Sequence, residues 1–159
     1  MGCDIHGYIE SQPFKDSNPK YWYVNADISI MRDYAMFGLL AGVRGGDDPL
    51  FAPRGWDENS ATKYEFCLRI SDDELDDEHS CTRDRATEWI ERGCSKPVSK
   101  NLITHPDWHT PSWLTAEEYE TVLSTYKEKY PERNANEWEA ILAFMKCIPD
   151  SRFTFWFDN

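Results

Sequence analysis

Paired cysteines, long apolar runs and basic residues are what this sequence lacks, and each shortage removes a class of protein. The five cysteines, Cys3, Cys67, Cys81, Cys94 and Cys147, are odd in number and scattered, with no Cys-x-x-Cys. Neither a disulfide framework nor a cysteine-rich zinc site is expected, and reduced thiols in a cytoplasmic setting fit best. Nowhere do about 18 apolar residues run together, and no basic stretch leads into an apolar run near the start. A membrane span and a visible secretion signal are therefore not expected. Lys and Arg number 17 against 29 Asp and Glu, a formal charge of −12. That balance disfavours direct binding to nucleic acid or an anionic membrane, although a locally basic pocket can still hold an anion. Also absent are Gly-x-x-x-x-Gly-Lys, Gly-x-Ser-x-Gly, His-Glu-x-x-His and Gly-x-Gly-x-x-Gly.

What is present is aromatic. Seven Trp, eight Tyr and eight Phe in 159 residues let large rings close a core. The length suits one domain over residues 1–159. Gly2 to Glu10 alternates as a strand, with Cys3, Ile5, Gly7 and Ile9 on an apolar face and Asp4, His6, Tyr8 and Glu10 on a polar one. Tyr21 to Val24 reads as a second strand, joined to the first as a hairpin. Arg32 to Ala41 reads as a helix stopped by Gly42. Arg44 to Gly55, rich in Gly, Pro and Asp, reads as a long surface loop.

Tyr64 to Ile70 alternates as a strand, and Ser71 with Glu74 forms a capping box for a short acidic helix. A helix over Arg83 to Arg92 is capped by Thr82 and stopped by Gly93. Pro97 to Pro111 reads as a linker. Thr115 and Glu118 then box the start of a helix that Pro131 ends, and Asn136 with Glu139 opens the last one. The chain closes on a strand, Arg152 to Phe157, with Phe153, Phe155 and Phe157 on one face. The expected fold is α+β, a mixed or antiparallel sheet holding the N- and C-terminal strands with about four to five helices packed on it.

Asp4-Ile5-His6 carries the sharpest chemical signal. Two residues apart on a strand, the carboxylate and the imidazole face one way, with Cα atoms about 6.6 to 6.8 Å apart. Both can lean towards one cation, and the opening Asp4-Ile5-His6-Gly7 resembles that of calcineurin-like metallophosphoesterases. No downstream Gly-Asn-His follows, so that fold is not adopted. The plainer reading is a surface Asp beside a hydrogen-bonded His. His105 and His109, in a Pro-flanked segment with Asp107 and Trp108, either add ligands from a loop or fasten the segment to the core. The acidic run Asp72 to Glu78 lacks the Gly and Glu positions of an EF-hand and reads as a solvated helix start.

The two ends, Met1-Gly2-Cys3-Asp4-Ile5-His6 and Phe155-Trp156-Phe157-Asp158-Asn159, resemble those of an uncharacterised family of short phage and prophage proteins. Phe37-Gly38-Leu39-Leu40-Ala41-Gly42-Val43-Arg44, Pro53-Arg54-Gly55 and Ser112-Trp113-Leu114-Thr115 are similar as well. The resemblance implies an accessory protein in the cytoplasm of an infected bacterial cell, acting on host defence. It groups Asp4, His6, Arg44, Arg54, His109 and Asp158.

Residue chemistry and resemblance together give an expectation of a metal-dependent hydrolase of a phosphate-containing small molecule such as a nucleotide. Asp4, His6, His109 and Asp158 would hold a divalent ion (Zn, Mn or Mg), with Asp4, His6 and His109 catalytic. Arg44, Arg54, Trp108 and Trp156 would bind the ligand. The alternatives are a protein that sequesters a nucleotide-like defence signal without turnover, and an acidic inhibitor that binds a host protein, its surface imitating DNA.

Overall fold

The computed structural model describes residues 2–72 and 78–159. The chain is α+β, with eight strands and five helices among the described residues. Contacts divide it into two units. One comprises residues 1–60 and 109–159, and the other comprises residues 61–108.

The larger unit is built on a four-stranded sheet. Its strands are β1 (Ile5–Ser11), β2 (Tyr23–Ile28), β7 (Trp108–Thr115) and β8 (Arg152–Asp158), in the order β2-β1-β8-β7. The two strands from the ends of the sequence are thus its centre, as the alternation predicts. They run antiparallel, pairing Ile5 with Phe157, His6 with Trp156 and Glu10 with Arg152. On one face Ile9, Phe153, Phe155 and Phe157 are buried completely. At about 1.5–3 kcal/mol for each large apolar side chain removed from water, this row contributes strongly to the unit's cohesion. A Cβ at Gly7 would lie 2.6 Å from the Phe153 ring, which is why that position in the row is glycine.

Three helices cover this face: α1 (Tyr34–Ala41), α4 (Ala116–Lys129) and α5 (Asn136–Cys147). Asp33 caps α1 through Ala35 and Met36, and Gly42 closes it at φ 71°, a left-handed conformation that glycine adopts without steric cost. Thr115 and Glu118 form the full capping box of α4. Tyr119 stacks edge-on against Phe153 and donates its buried hydroxyl to the Trp138 carbonyl at 3.1 Å, tying α4 to α5.

The smaller unit holds α2 (Lys63–Phe66), β3 (Cys67–Ser71), β4 (Ser80–Thr82), α3 (Arg83–Glu91), β5 (Pro97–Ser99) and β6 (Leu102–Thr104). Its sheet has the order β4-β3-β6-β5, with β3 parallel to β4 and antiparallel to β6. Leu68, Cys81, Ala86 and Ile103 form its core, and Thr82 caps α3 by accepting from the Arg85 N–H.

Several local expectations need correction. The second strand is Tyr23–Ile28, because its pairing with β1 extends to Ile28 opposite Gly7. The stretch from Tyr64 begins as a helical turn, the Phe66 N–H donating to the Thr62 carbonyl at 2.9 Å, and becomes strand only at Cys67. Residues 97–111 are no linker: they supply β5, β6 and the start of β7. Pro97 and Pro111 are accommodated because β5 and β7 are edge strands, where a missing N–H costs no ladder bond. The N-cap of α5 is Ala135 without a side-chain cap, and the Asn136 N–H is met by Asn134 Oδ1 at 2.9 Å. The Ser71–Glu74 box involves Glu74, which lies outside the described residues.

Candidate functional site

Where β1 begins and β8 ends, the two strands are joined by a reciprocal pair of bonds. The Asp4 N–H donates to Asp158 Oδ1 at 2.8 Å, and the Asp158 N–H donates to the Asp4 carbonyl at 3.1 Å. The other oxygen of Asp158 lies 3.0 Å from His6 Nε2. Antiparallel register makes this possible, since Asp4, His6, Trp156 and Asp158 share one face. The carboxylate fixes the orientation of the ring. His6 also stacks on Trp156, at 5.8 Å between centroids and 13° between planes.

Two arginines complete this end. Arg32 grips the Asp4 carboxylate through Nε and through Nη2, the latter at 2.7 Å, and holds the Asp4 carboxyl below its ordinary pKa. Arg44 is exposed, has φ 59°, and places its guanidinium against the Cys3 thiol. Burial raises the Cys3 pKa, Asp158 adds to the rise, and Arg44 opposes it. Arg32 neutralises Asp4, and Arg44 and Asp158 act in opposite senses on Cys3. An imidazole steered by an anchored carboxylate can move a proton.

The structure therefore brings together Asp4, His6, Trp156 and Asp158 of the predicted set, with Arg44 against the nearby Cys3. It places Arg54, Trp108 and His109 elsewhere. His109 stacks on Phe157 at 6.1 Å, in the helix-covered row, whereas His6 stacks on Trp156 of the opposite row. His109 Nδ1 is 2.8 Å from Thr110 Oγ1, and its buried Nε2 has no hydrogen-bond partner. Arg54 is locked on Glu118 by a two-pronged pair, lies 4.3 Å over the Trp113 ring, and holds the Glu118 carboxyl below its usual range. Trp108 packs with His105 and Phe66 in the smaller unit. Trp156 is 1% exposed, a floor beneath His6 and Tyr8. Among the described residues no group of three or more His, Cys, Asp or Glu is arranged to share a metal ion. Asp4 is turned to Arg32, and His109 sits on the other row.

Sequence reasoning missed Arg32 and Cys3 as neighbours of this end, and it missed a buried polar cluster farther along the same strands. Glu10, fully buried, accepts from Arg152 Nε at 2.9 Å, from Thr154 Oγ1 at 2.9 Å and from the Ser60 hydroxyl. Arg152, 1% exposed, also donates from Nη1 to Asp57 at 3.1 Å and lies 3.7 Å over Trp22 and 5.1 Å from Trp113. The signal for the pair was available, because antiparallel register of the two end strands sets Glu10 opposite Arg152. Nothing in the sequence signals Arg32, whose partner is 28 residues away on another element.

Among the described residues no helix is long and apolar enough to cross a membrane. No protein-family model, curated protein or solved structure matches this chain.

Proposed function

We propose that this protein binds a phosphate-containing small molecule, a nucleotide foremost, at the end of the sheet where β1 and β8 meet, and hydrolyses it with His6 as the acid–base group. The observation that carries the reading is the 3.0 Å contact between His6 and an Asp158 that is itself anchored by the Asp4 N–H, with Arg44 against the nearby Cys3. His6 takes the proton of the attacking water as the new P–O bond forms. Its conjugate acid returns a proton to the departing oxygen, and Arg44 neutralises phosphate oxygens. The likeness of the chain's ends to phage proteins supplies a setting in the cytoplasm of an infected bacterium, where the ligand would be a host defence signal.

A second reading keeps the ligand and drops the turnover. It is favoured by the hold of Arg32 on Asp4, which removes one donor of the expected metal set and leaves an end suited to grip an anion. One experiment separates the two. The protein is incubated with linear and cyclic nucleotides, with and without Mg²⁺, Mn²⁺ or Zn²⁺, and followed by chromatography. Loss of a nucleotide means hydrolysis, and co-elution without loss means sequestration. Turnover that survives in both His6→Ala and Asp158→Asn overturns the assignment of the acid–base group. Neither loss nor retention of any nucleotide overturns both readings.

A further inference from the structure

Away from that end, the larger unit has a groove of about 370 Å³ where the far end of β2 passes α5. Ile28 and Ile30 line one wall, and Ala140, Ile141 and Phe144 line the other. With Glu137 at the rim, the helix residues fall at i, i+3, i+4 and i+7, one stripe of α5 turned to the strand. Phe144 stays 41% exposed. The sheet order β2-β1-β8-β7 makes β2 an edge, and among the described residues no strand pairs with its outer side. The register shift against β1 lies between Ile9 and Glu10, so Ala26, Asp27 and Ile28 keep a regular edge beside the groove. That edge bears no proline or lysine, the residues that usually block strand addition.

We infer that this groove is a docking site for an extended segment of a basic partner protein, added as a further strand beside β2 with its residues alternating between apolar and Lys or Arg. The alternation follows from the edge. Ile28, opposite Gly7, lies on the helix-covered face and packs on the core, whereas Asp27, opposite Tyr8, points to the other face. A strand laid along this edge therefore puts every second side chain into the groove against Ile30 and Phe144, and the ones between on the side of Asp27. The charge follows from the carboxylates. Asp27 and Glu137 are both exposed and form no ion pair among the described residues, so basic side chains would meet one on the sheet's other face and one at the groove's rim. A second copy of this chain fits poorly, because it would bring its own charge of −12 to the same two carboxylates.

The test uses the whole chain. Fluorescence anisotropy follows the labelled peptide Lys-Val-Lys-Val-Lys-Val-Lys, its ends blocked, beside a version with Glu for every Lys and a block version of the same composition, Lys-Lys-Lys-Lys-Val-Val-Val. The alternating basic peptide should bind, and the other two should bind at least about tenfold more weakly. Methylating alternate nitrogens of the alternating peptide removes strand hydrogen bonds and should abolish its binding. Phe144→Ser, and separately Asp27→Lys combined with Glu137→Lys, should each weaken binding by about tenfold or more. All three side chains are exposed, so both variants should keep the far-ultraviolet circular dichroism of the parent. No binding of the alternating peptide, equal binding of the block or methylated peptide, full affinity in either variant, or a dimer of the chain that Phe144→Ser dissociates each overturns the inference.

Discussion

Replacing Glu10 with Ala is the sharpest test of how the sheet is held together. The substitution removes an acceptor that serves Arg152, Thr154 and Ser60 at once. It leaves a guanidinium of 1% exposure with Asp57 as its remaining carboxylate among the described residues. Breaking a buried pair from one side costs about 3–5 kcal/mol, because the stranded charge keeps its desolvation penalty. Since about 2–4 °C of melting temperature accompany each kcal/mol in a chain of this size, the expected drop is about 6 to 20 °C. Arg152→Met should be similarly damaging. The double variant Glu10→Leu with Arg152→Met should lose less than the sum, since Met packs against the indoles of Trp22 and Trp113 with no stranded charge. Urea unfolding of parent, both singles and the double closes a double-mutant cycle. A coupling of about 1–3 kcal/mol is expected. A loss below about 1 kcal/mol for Glu10→Ala, or strict additivity, would refute the view that the pair is a mutually dependent buried unit.

Three further outcomes follow from other parts of the molecule. Glu118→Ala removes both the Arg54 pair and half of the α4 capping box, and should cost about 1–2 kcal/mol at neutral pH by thermal unfolding. Because folding depresses the Glu118 pKa, that contribution is full above the unfolded value of about 4.3 and is lost as pH falls through the lower folded value. Parent and Glu118→Ala stabilities should therefore converge in acid, and a gap that widens there would contradict the assignment. His6→Ala should lower any nucleotide hydrolysis by about 10²- to 10⁴-fold with circular dichroism unchanged; a smaller loss places the chemistry elsewhere. Native thiol titration at pH 8 should find Cys94 and Cys147 fast, with Cys3, Cys67 and Cys81 slow until denaturation, since burial shields them and pushes the Cys67 thiol up to about 11.

Period and punctuation carried the reading where the environment is symmetric along an element. The Phe153, Phe155 and Phe157 row, the Gly42 stop and the Thr115–Glu118 box depend on neighbours in sequence, and all stand as expected. The opposite face of the same strands reads only as polar. Alternation assigns a residue to a face but not what covers that face, and here Trp22, Asp57, Ser60 and Trp113 gather around Glu10 and Arg152. The same gap explains the site. Asp4, His6 and Asp158 were legible from strand parity and pairing of the ends, whereas Arg32 and the Cys3–Arg44 contact arise from tertiary packing alone. Residues 97–111 failed for another reason: proline forbids a central strand but not an edge, and edge status is a property of the assembled sheet.

The reciprocal bonds between Asp4 and Asp158 span 154 positions. They fasten the two central strands, so no native form of this sheet exists until almost the whole chain between them has been brought round. The entropy of closing so long a loop must be met before the pairing yields any stabilisation. Until that closure, Phe153, Phe155 and Phe157 form an apolar strand with exposed edges. A charge of −12 opposes the association of such unfinished chains by mutual repulsion.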